Sequence, residues 1–408
     1  MRPTARNEME IVNQSFTLDF DYPVIFTEGV FDPGNPVFSR VVNRLESDRR
    51  HRLFLVMDEN VSRAHPQLRA RIAAYAESRP QELELVCAPV EVPGGEAVKA
   101  DLRHVLTLVE EMNRVGLDRQ SFMVIVGGGA VLDAAGFAAS ICHRGVRVIR
   151  VPSTVLAQSD SGVGVKNGVN LFGKKNFLGA FSPPYAVVND RSLIETLELR
   201  DKIAGIAEAV KVALIRDRPL FEYLEKNAPE LSRGEGEPLH YQIRRSAELH
   251  LEHIRSSGDP FEFGSARPLD FGHWSAHKLE SMTENRLRHG EAVAIGMAVD
   301  LAYSVRAGFL KRGILNRVLS LLRNLGLPVW DEAISMTRGG ERVVLEGLAE
   351  FREHLGGTLH ISLIRDIGDS FEVTEMDDGL LLDSMEWLRR SFGKAGAGVV
   401  ETEIPQAG

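Results

Sequence analysis

Apolar runs punctuate the first half of the chain. Arg52–Met57 (RLFLVM) ends in the polar triplet Asp58-Glu59-Asn60, Ser121–Val126 (SFMVIV) runs into three glycines, and Val146–Val151 (VRVIRV) stops at Pro152. Runs of this length without polar alternation read as strands buried on both faces of a parallel sheet. Between them, Ala100–Val115 and Ala130–Ile141 repeat apolar residues at helical spacing. Strand–helix–strand order of this kind predicts an α/β fold, a doubly wound, Rossmann-like parallel sheet. From about Leu197 the period changes. Ala204–Arg216, Leu239–Arg255, His273–Thr283, Gly290–Ala307 and Gly313–Leu325 read as amphipathic helices, and the next strand-like run is Thr358–Arg365. The pattern predicts an α/β domain over residues 1–195 and a mainly α-helical domain over 196–395. A tail of small and polar residues over 396–408 is expected to be flexible.

Composition supports that division. At about 150 residues per domain a chain of 408 residues suggests two or three domains, and 44% hydrophobic with 26% charged residues is the balance of a soluble globular protein. Its core needs neither disulfides nor a structural metal; Cys87 and Cys142 make no framework, and no C-x-x-C occurs. Lys+Arg minus Asp+Glu is 48 − 57 = −9, which disfavours nucleic acid as a partner. The N-terminal MRPTARNEMEIVNQ lacks the apolar centre of a signal peptide, and no 18 uncharged apolar residues are consecutive. A cytoplasmic enzyme that engages no membrane is the expectation.

Three groups of residues carry candidate chemistry. VIVGGGAVLDAAGF sets three glycines between a strand and a helix, where backbone can approach a pyrophosphate and free N–H groups can bind it. It is not G-x-G-x-x-G, and a glycine triplet also serves as a plain turn; the acidic loop Asp58-Glu59-Asn60 tips the reading to nucleotide binding. Asp133, one turn into the helix, suits either the helix dipole or a nicotinamide site. A second segment gathers Ser153-Thr154, Gln158, Asp160-Ser161, Lys166-Asn167 and Lys174-Lys175-Asn176. It reads as a phosphate cradle or as a solvated surface loop; its three lysines in an acidic protein favour the cradle. Third, His273 and His277 share a helix face in DFGHWSAHKLE, His289 follows in RHGEAVAIGM, and Glu208 lies upstream in GIAEAVKVALI with Lys211 one turn on. Most of the 12 histidines need be nothing but core or surface residues. Imidazoles with a carboxylate are nonetheless the composition of a divalent-metal site.

From Asp58 to Asp369 the chain resembles the sugar phosphate cyclases, the family of 3-dehydroquinate synthase. The resemblance is carried by GGGAVLDAAGFAAS, HRG, VPSTVLAQSDSGVGVKNGVN, GKKNFLGAF, GIAEAVK, DFGHWSAH and HGEAVAIGM. It implies a divalent metal, zinc or cobalt, held by Glu208, His273 and His289, with His277 on the substrate side instead. It implies NAD as a recycled oxidant: a ring hydroxyl is oxidised, phosphate is eliminated, the ketone is reduced back, and an intramolecular aldol reaction closes the ring. By the same resemblance Asp160, Lys166, Asn176, Lys211 and Asp270 line a small sugar phosphate, and Arg144 reaches the phosphate of a neighbouring subunit in a homodimer. Asp58, Asn60, Glu96, Lys99, Gly128, Gly129, Asp133, Ser153, Thr154, Lys175 and Thr196 match cofactor positions.

Departures bear on the substrate. Dehydroquinate synthases carry a basic residue in the helix before the metal motif and Arg-x-x-x-Asn ahead of its Gly-His. Here AELHLEHI places Glu252 where the lysine is expected, the Asn is Asp270, and Ala266 stands for the Arg with Arg267 one step off. Those groups would serve the carboxylate of 3-deoxy-arabino-heptulosonate 7-phosphate. Without them the expected substrate is sedoheptulose 7-phosphate, which has a hydroxymethyl group there. The segment 350–357 (EFREHLGG) also resembles the valiolone-type cyclases. The alternatives are 3-dehydroquinate synthase itself and a metal-dependent polyol dehydrogenase, which would need no phosphate cradle.

Overall fold

The computed structural model describes residues 11–257, 259–261, 269–354 and 358–393. Its first part is built on strands β1 (Val24–Thr27), β2 (His51–Asp58), β3 (Leu83–Leu85), β4 (Val90–Val92), β5 (Phe122–Gly127), β6 (Arg147–Pro152), β7 (Lys166–Leu171), β8 (Lys174–Phe181) and β9 (Ala186–Asp190). One seven-stranded sheet runs in the order β1-β9-β6-β5-β2-β3, with β4 also paired to β2. Every pairing in it is parallel. The apolar runs of the sequence are β2, β5 and β6, at its centre. Leu53, Leu55 and Met57 join Phe122, Val124 and Val126 in the core on one face, while Phe54 and Val56 join Met123 and Ile125 on the other. Successive side chains point to opposite faces and both are covered, so the runs have no room for polar residues.

In register, Met57 pairs with Val126 and Gly127 with Pro152. The carboxyl ends of β2, β5 and β6 therefore meet at one edge, bringing together Asp58, the glycine loop and Ser153. That crevice is where open α/β sheets bind ligands. β7 and β8 leave the sheet as an antiparallel hairpin. The sequence pattern reads this stretch as a loop because Phe172 and Phe177 lie on the outside, ring centroids 5.7 Å apart, instead of marking a core face.

The second part is helical. The His289–Arg306 helix, buried along nearly its whole length, is its axis; a helix apolar on all sides belongs in a core. Around it lie the Leu199–Arg216, His273–Met282, Arg312–Asn324 and Asp378–Phe392 helices. The run Thr358–Arg365 becomes an Ile361–Asp366 strand paired with Asp369–Val373. The α/β and helical architecture is the one the sequence pattern predicts. Residues 265–268 and 355–357, including Ala266 and Arg267, and the tail 396–408 lie outside the described residues. No described helix is long and apolar enough to cross a membrane.

Candidate active site

Three helices supply the centre. Glu208 lies within Leu199–Arg216, while His273 and His289 each open a helix directly beside a glycine. A Cβ on Gly290 would fall 1.7 Å from the Ala204 carbonyl oxygen, and one on Gly296 would fall 2.0 Å from that of Gly272. Only glycine permits such approach, so the G-H and H-G pairs set the helix spacing. Glu208 Oε1 then faces Nε2 of His273 at 3.5 Å and Nε2 of His289 at 3.3 Å. The ligand atoms of the three residues lie within 4.8 Å of one another. Both carboxylate oxygens of Glu208 are buried without a hydrogen bond, and Lys211 is ion-paired against Oε2. A buried carboxylate with imidazole nitrogens converging on it is a donor set for a divalent cation. Burial would raise Glu208, but Lys211 and His289 outweigh it and hold it down at about 2. Burial first, then Lys211, pushes His273 well below 6.5, leaving the neutral imidazole that a metal requires.

Sequence reasoning missed Glu280. It is 3% exposed, with Oε2 3.1 Å from Nδ1 of His289 and Oε1 2.9 Å from Lys175 Nζ. A carboxylate on the far nitrogen of a ligand histidine fixes its tautomer and orientation. The signal was present: Glu280 follows His273 by seven residues and His277 by three, on one helix face. The His277 ring centroid is 5.4 Å from that of His273 and 6.1 Å from that of His289. Its ligand atom also groups with those of Glu280 and His289.

Asp160 sits on a π-type turn, Ala157–Ser161, a local geometry that recurs at functional sites. Its Oδ1 is 2.8 Å from Nδ1 of His250. Lys211, although burial lowers it, is raised by the negative charge of Glu208, Asp160 and Asp270. Lys166 begins β7 and Asn176, at φ 52°, lies in β8; both are exposed. One expectation needs correction. Glu252 is exposed, and His250 is the residue of the Gly236–Ser256 helix that reaches Asp160. Arg144 is exposed in a turn at the far end of the Gly129–Ile141 helix, about 20 Å from the glycine loop by helix rise. One chain alone does not bring it to the cluster.

The sheet edge gathers most of the expected cofactor residues. Asp58 caps the Glu59–Ala64 helix through Asn60 N and accepts from Gly128, and burial raises its carboxyl. Gly127, Gly128 and Gly129 are needed for space: added Cβ atoms would meet Val131 at 2.8 Å, Thr154 at 3.1 Å and Ser161 Oγ at 2.5 Å. Ser153 N donates to Gly127 O at 2.9 Å. Lys99 pairs with Asp133 at 2.7 Å, and Glu96 adds to the field that raises it against burial. Lys175 is ion-paired with Glu280 at 2.9 Å, and Glu280 also adds to the field on Lys99. Thr196 bonds to His65 at 2.9 Å.

A parallel sheet with a ligand edge, joined to a helical carboxylate–histidine centre, defines a two-part cofactor-and-metal type of enzyme. The chain belongs to the 3-dehydroquinate synthase family and is a sugar phosphate cyclase. The family's N-terminal region, described as 3-dehydroquinate synthase N-terminal, matches residues 89–204, and 3-dehydroquinate synthase C-terminal matches 205–342. A 2-epi-5-epi-valiolone synthase of Streptomyces glaucescens is 34% identical over 358 residues, 88% of each chain. A 3-dehydroquinate synthase of Halorhodospira halophila is 34% identical over 365 residues, 89% of this chain and 96% of that one. Among solved structures, 2-epi-5-epi-valiolone synthase from Streptomyces hygroscopicus with NAD+ and Zn2+ bound is 28% identical, with a TM-score of 0.81 over 93% of this chain and 99% of that one.

Proposed function

We propose that this cyclase is of the valiolone type and closes sedoheptulose 7-phosphate, working as a homodimer divided near residue 195 of each chain. The observation that carries the choice is the charge around Lys211. Glu208 is ion-paired with that ammonium, and Asp160 and Asp270 add negative charge to its field. A substrate carboxylate brought there would meet like charges in a poorly solvated site, whereas a hydroxymethyl group meets hydrogen-bond acceptors.

Glu208, His273 and His289 suit a divalent metal because their ligand atoms lie within 4.8 Å of one another, with Glu208 Oε1 facing both imidazoles and only Oε2 ion-paired to Lys211. Asp58, Asn60, Glu96, Lys99, Gly128, Gly129, Asp133, Ser153 and Thr154 suit NAD at the sheet edge, with the buried Ser161 Oγ left unbonded beside Gly129. When bound, these groups would supply a hydride acceptor and polarisation of the oxidised hydroxyl. The chain's own residues position the sugar. Asp160 accepts a ring hydroxyl, Lys211 donates to its neighbour, and His277 offers a ring nitrogen beside the histidine pair. Lys166 and Asn176 extend from the hairpin towards the phosphate, where a cation stabilises the leaving group. A polyol dehydrogenase has no use for that cation.

The test is phosphate release from sedoheptulose 7-phosphate and from 3-deoxy-arabino-heptulosonate 7-phosphate. Turnover of the first without NADH build-up is expected, with NMR of the cyclic product. Preferred turnover of the carboxylated sugar would sink the valiolone reading in favour of dehydroquinate formation.

A further inference from the structure

Strand β6 carries a charge where its neighbours are apolar. Arg150 pairs in register with Ile125 on one side and Val187 on the other, and it is 1% exposed. Burial holds its guanidinium below the ordinary range, and the charge of Asp133 offsets only part of that. A buried cation is costly unless other groups take the place of water. Here the substitute is the loop that follows Asp160. Nη1 donates to the carbonyl oxygens of Gly162 at 3.1 Å and Gly164 at 2.8 Å, and Nη2 donates to Lys166 O at 3.0 Å and Asn167 Oδ1 at 2.8 Å. The four Nη hydrogens thus meet four neutral acceptors within residues 162–167.

We propose that Arg150 is a positioning residue for phosphate elimination: its guanidinium gathers the 160–167 loop around itself and so holds the Lys166 side chain where phosphate departs, a role that rests on the placement of Lys166 proposed above. Lys166 gives its carbonyl to Arg150 but is itself exposed at the start of β7. The bond therefore anchors its backbone inward and leaves the ammonium on the outer side. Asn167 is gripped twice, Oδ1 accepting from Arg150 and Nδ2 donating to Ser182 O at 3.2 Å just beyond β8. A Cβ on Gly136 would stand 1.9 Å from that Oδ1, so the Gly129–Ile141 helix, which carries Asp133, leaves room for the contact. Tyr22 adds a hydrogen bond to Val163 O at 2.9 Å. The sheet, the glycine-loop helix and the hairpin are all referred to one side chain.

The planar fork of arginine is what serves four acceptors spread in this way. A lysine has three donors on one nitrogen and no fixed fork. Correct placement matters most at the transition state, where charge builds on the departing phosphate and an ammonium offsets it. Misplacement of Lys166 therefore falls on kcat more than on KM.

The test is a double-mutant cycle on whichever sugar phosphate the wild type turns over, with kcat and KM read from phosphate release. Thermal melts and bound-metal content identify folded enzyme. Lys166→Ala is expected to lower kcat about 100-fold and Arg150→Gln about tenfold, the latter with KM changed by less than about threefold. Because Arg150 acts through Lys166, the double variant should stay within about threefold of Lys166→Ala. Arg150→Lys, which keeps the charge without the fork, should recover only part of the loss. Losses that multiply to about 1,000-fold would overturn the role of Arg150. So would full recovery by Arg150→Lys, which would make bare charge the cause. If Arg150→Gln does not fold, Asn167→Ala removes one acceptor and keeps the guanidinium. It should lower kcat about fivefold alone and add nothing beside Lys166→Ala, and equal losses in both backgrounds overturn the proposal. A Lys166→Ala enzyme within about twofold of wild type would remove Lys166 from the site and the role of Arg150 with it. The choice between the two sugars is a separate result of the wild type and does not enter the cycle.

Discussion

Single side chains at this centre form a line of contacts in which carboxylates alternate with ammonium or imidazole groups: Lys175, Glu280, His289, Glu208 and Lys211. Each buried member is tolerable because the next one offsets it, so removing one exposes its neighbours to an unmet charge. Glu280→Gln keeps the shape but weakens the grip on His289 Nδ1. Its affinity for zinc, measured by competition with a chromogenic chelator, is expected to fall about 10–100-fold. An unchanged affinity would remove Glu280 from any orienting role. Glu208→Gln should lose more, and should also cost about 3 kcal/mol in a urea titration because Lys211 keeps only Asp160 and Asp270 as counter-charges. Glu208, His273 and His289 were legible because their motifs are local and dense. Glu252 was misread for a geometric reason: residues two apart on a helix point about 200° apart. A slip of two positions therefore exchanges the site-facing His250 for a solvent-facing carboxylate.

Between elements, the decisive contact is made by Asp300. Fully buried in the His289–Arg306 helix, it accepts from Gly272 N at 3.0 Å and Trp274 Nε1 at 2.9 Å. It thus ties the helix that opens with His289 to the helix that opens with His273, and it gives a purpose to the Trp in DFGHWSAH. Burial pushes its carboxyl from 3.8 up to about 7, the two hydrogen bonds offsetting only part of that. Since the folded value is the higher one, the folded state keeps its proton while the unfolded chain releases one. Stability is therefore lost as pH rises from about 4 to 7. Between pH 5 and 8 this group should remove about 2 kcal/mol. Asp300→Asn is destabilising at pH 5, because its amide N–H faces one of two donors. Urea titrations should find its deficit against wild type about 2 kcal/mol smaller at pH 8. A deficit independent of pH would contradict the buried acid. The pattern of the sequence revealed the buried helices and central strands because their apolar residues serve one core. It concealed the β7–β8 hairpin, whose phenylalanines face outward, and edge strand β1, which is only four residues long.

For the whole molecule, net charge of −9 describes the outer surface, while the chemistry gathers cations in a small interior region. Arg144 belongs to neither within one chain. It is exposed, and it and His143 hold left-handed backbone at φ 64° and 50°, a conformation that costs non-glycine residues about 1–2 kcal/mol each. Strain of that size at consecutive positions persists where the surroundings impose it and often marks a functional contact. An isologous dimer would supply the reason by presenting the Arg144 turn of each chain to the phosphate end of the other's site. Complementation tests this directly. Arg144→Ala and His289→Ala should each abolish most phosphate release as homodimers. In a heterodimer of the two variants, the site with intact His289 receives Arg144 from the other chain, while the second site lacks both. Dual-tag purification should therefore recover roughly half of wild-type activity per dimer, as expected for a two-fold symmetric pair. If Arg144 serves its own chain instead, each site of the heterodimer still lacks one group, and activity stays at the level of the parents.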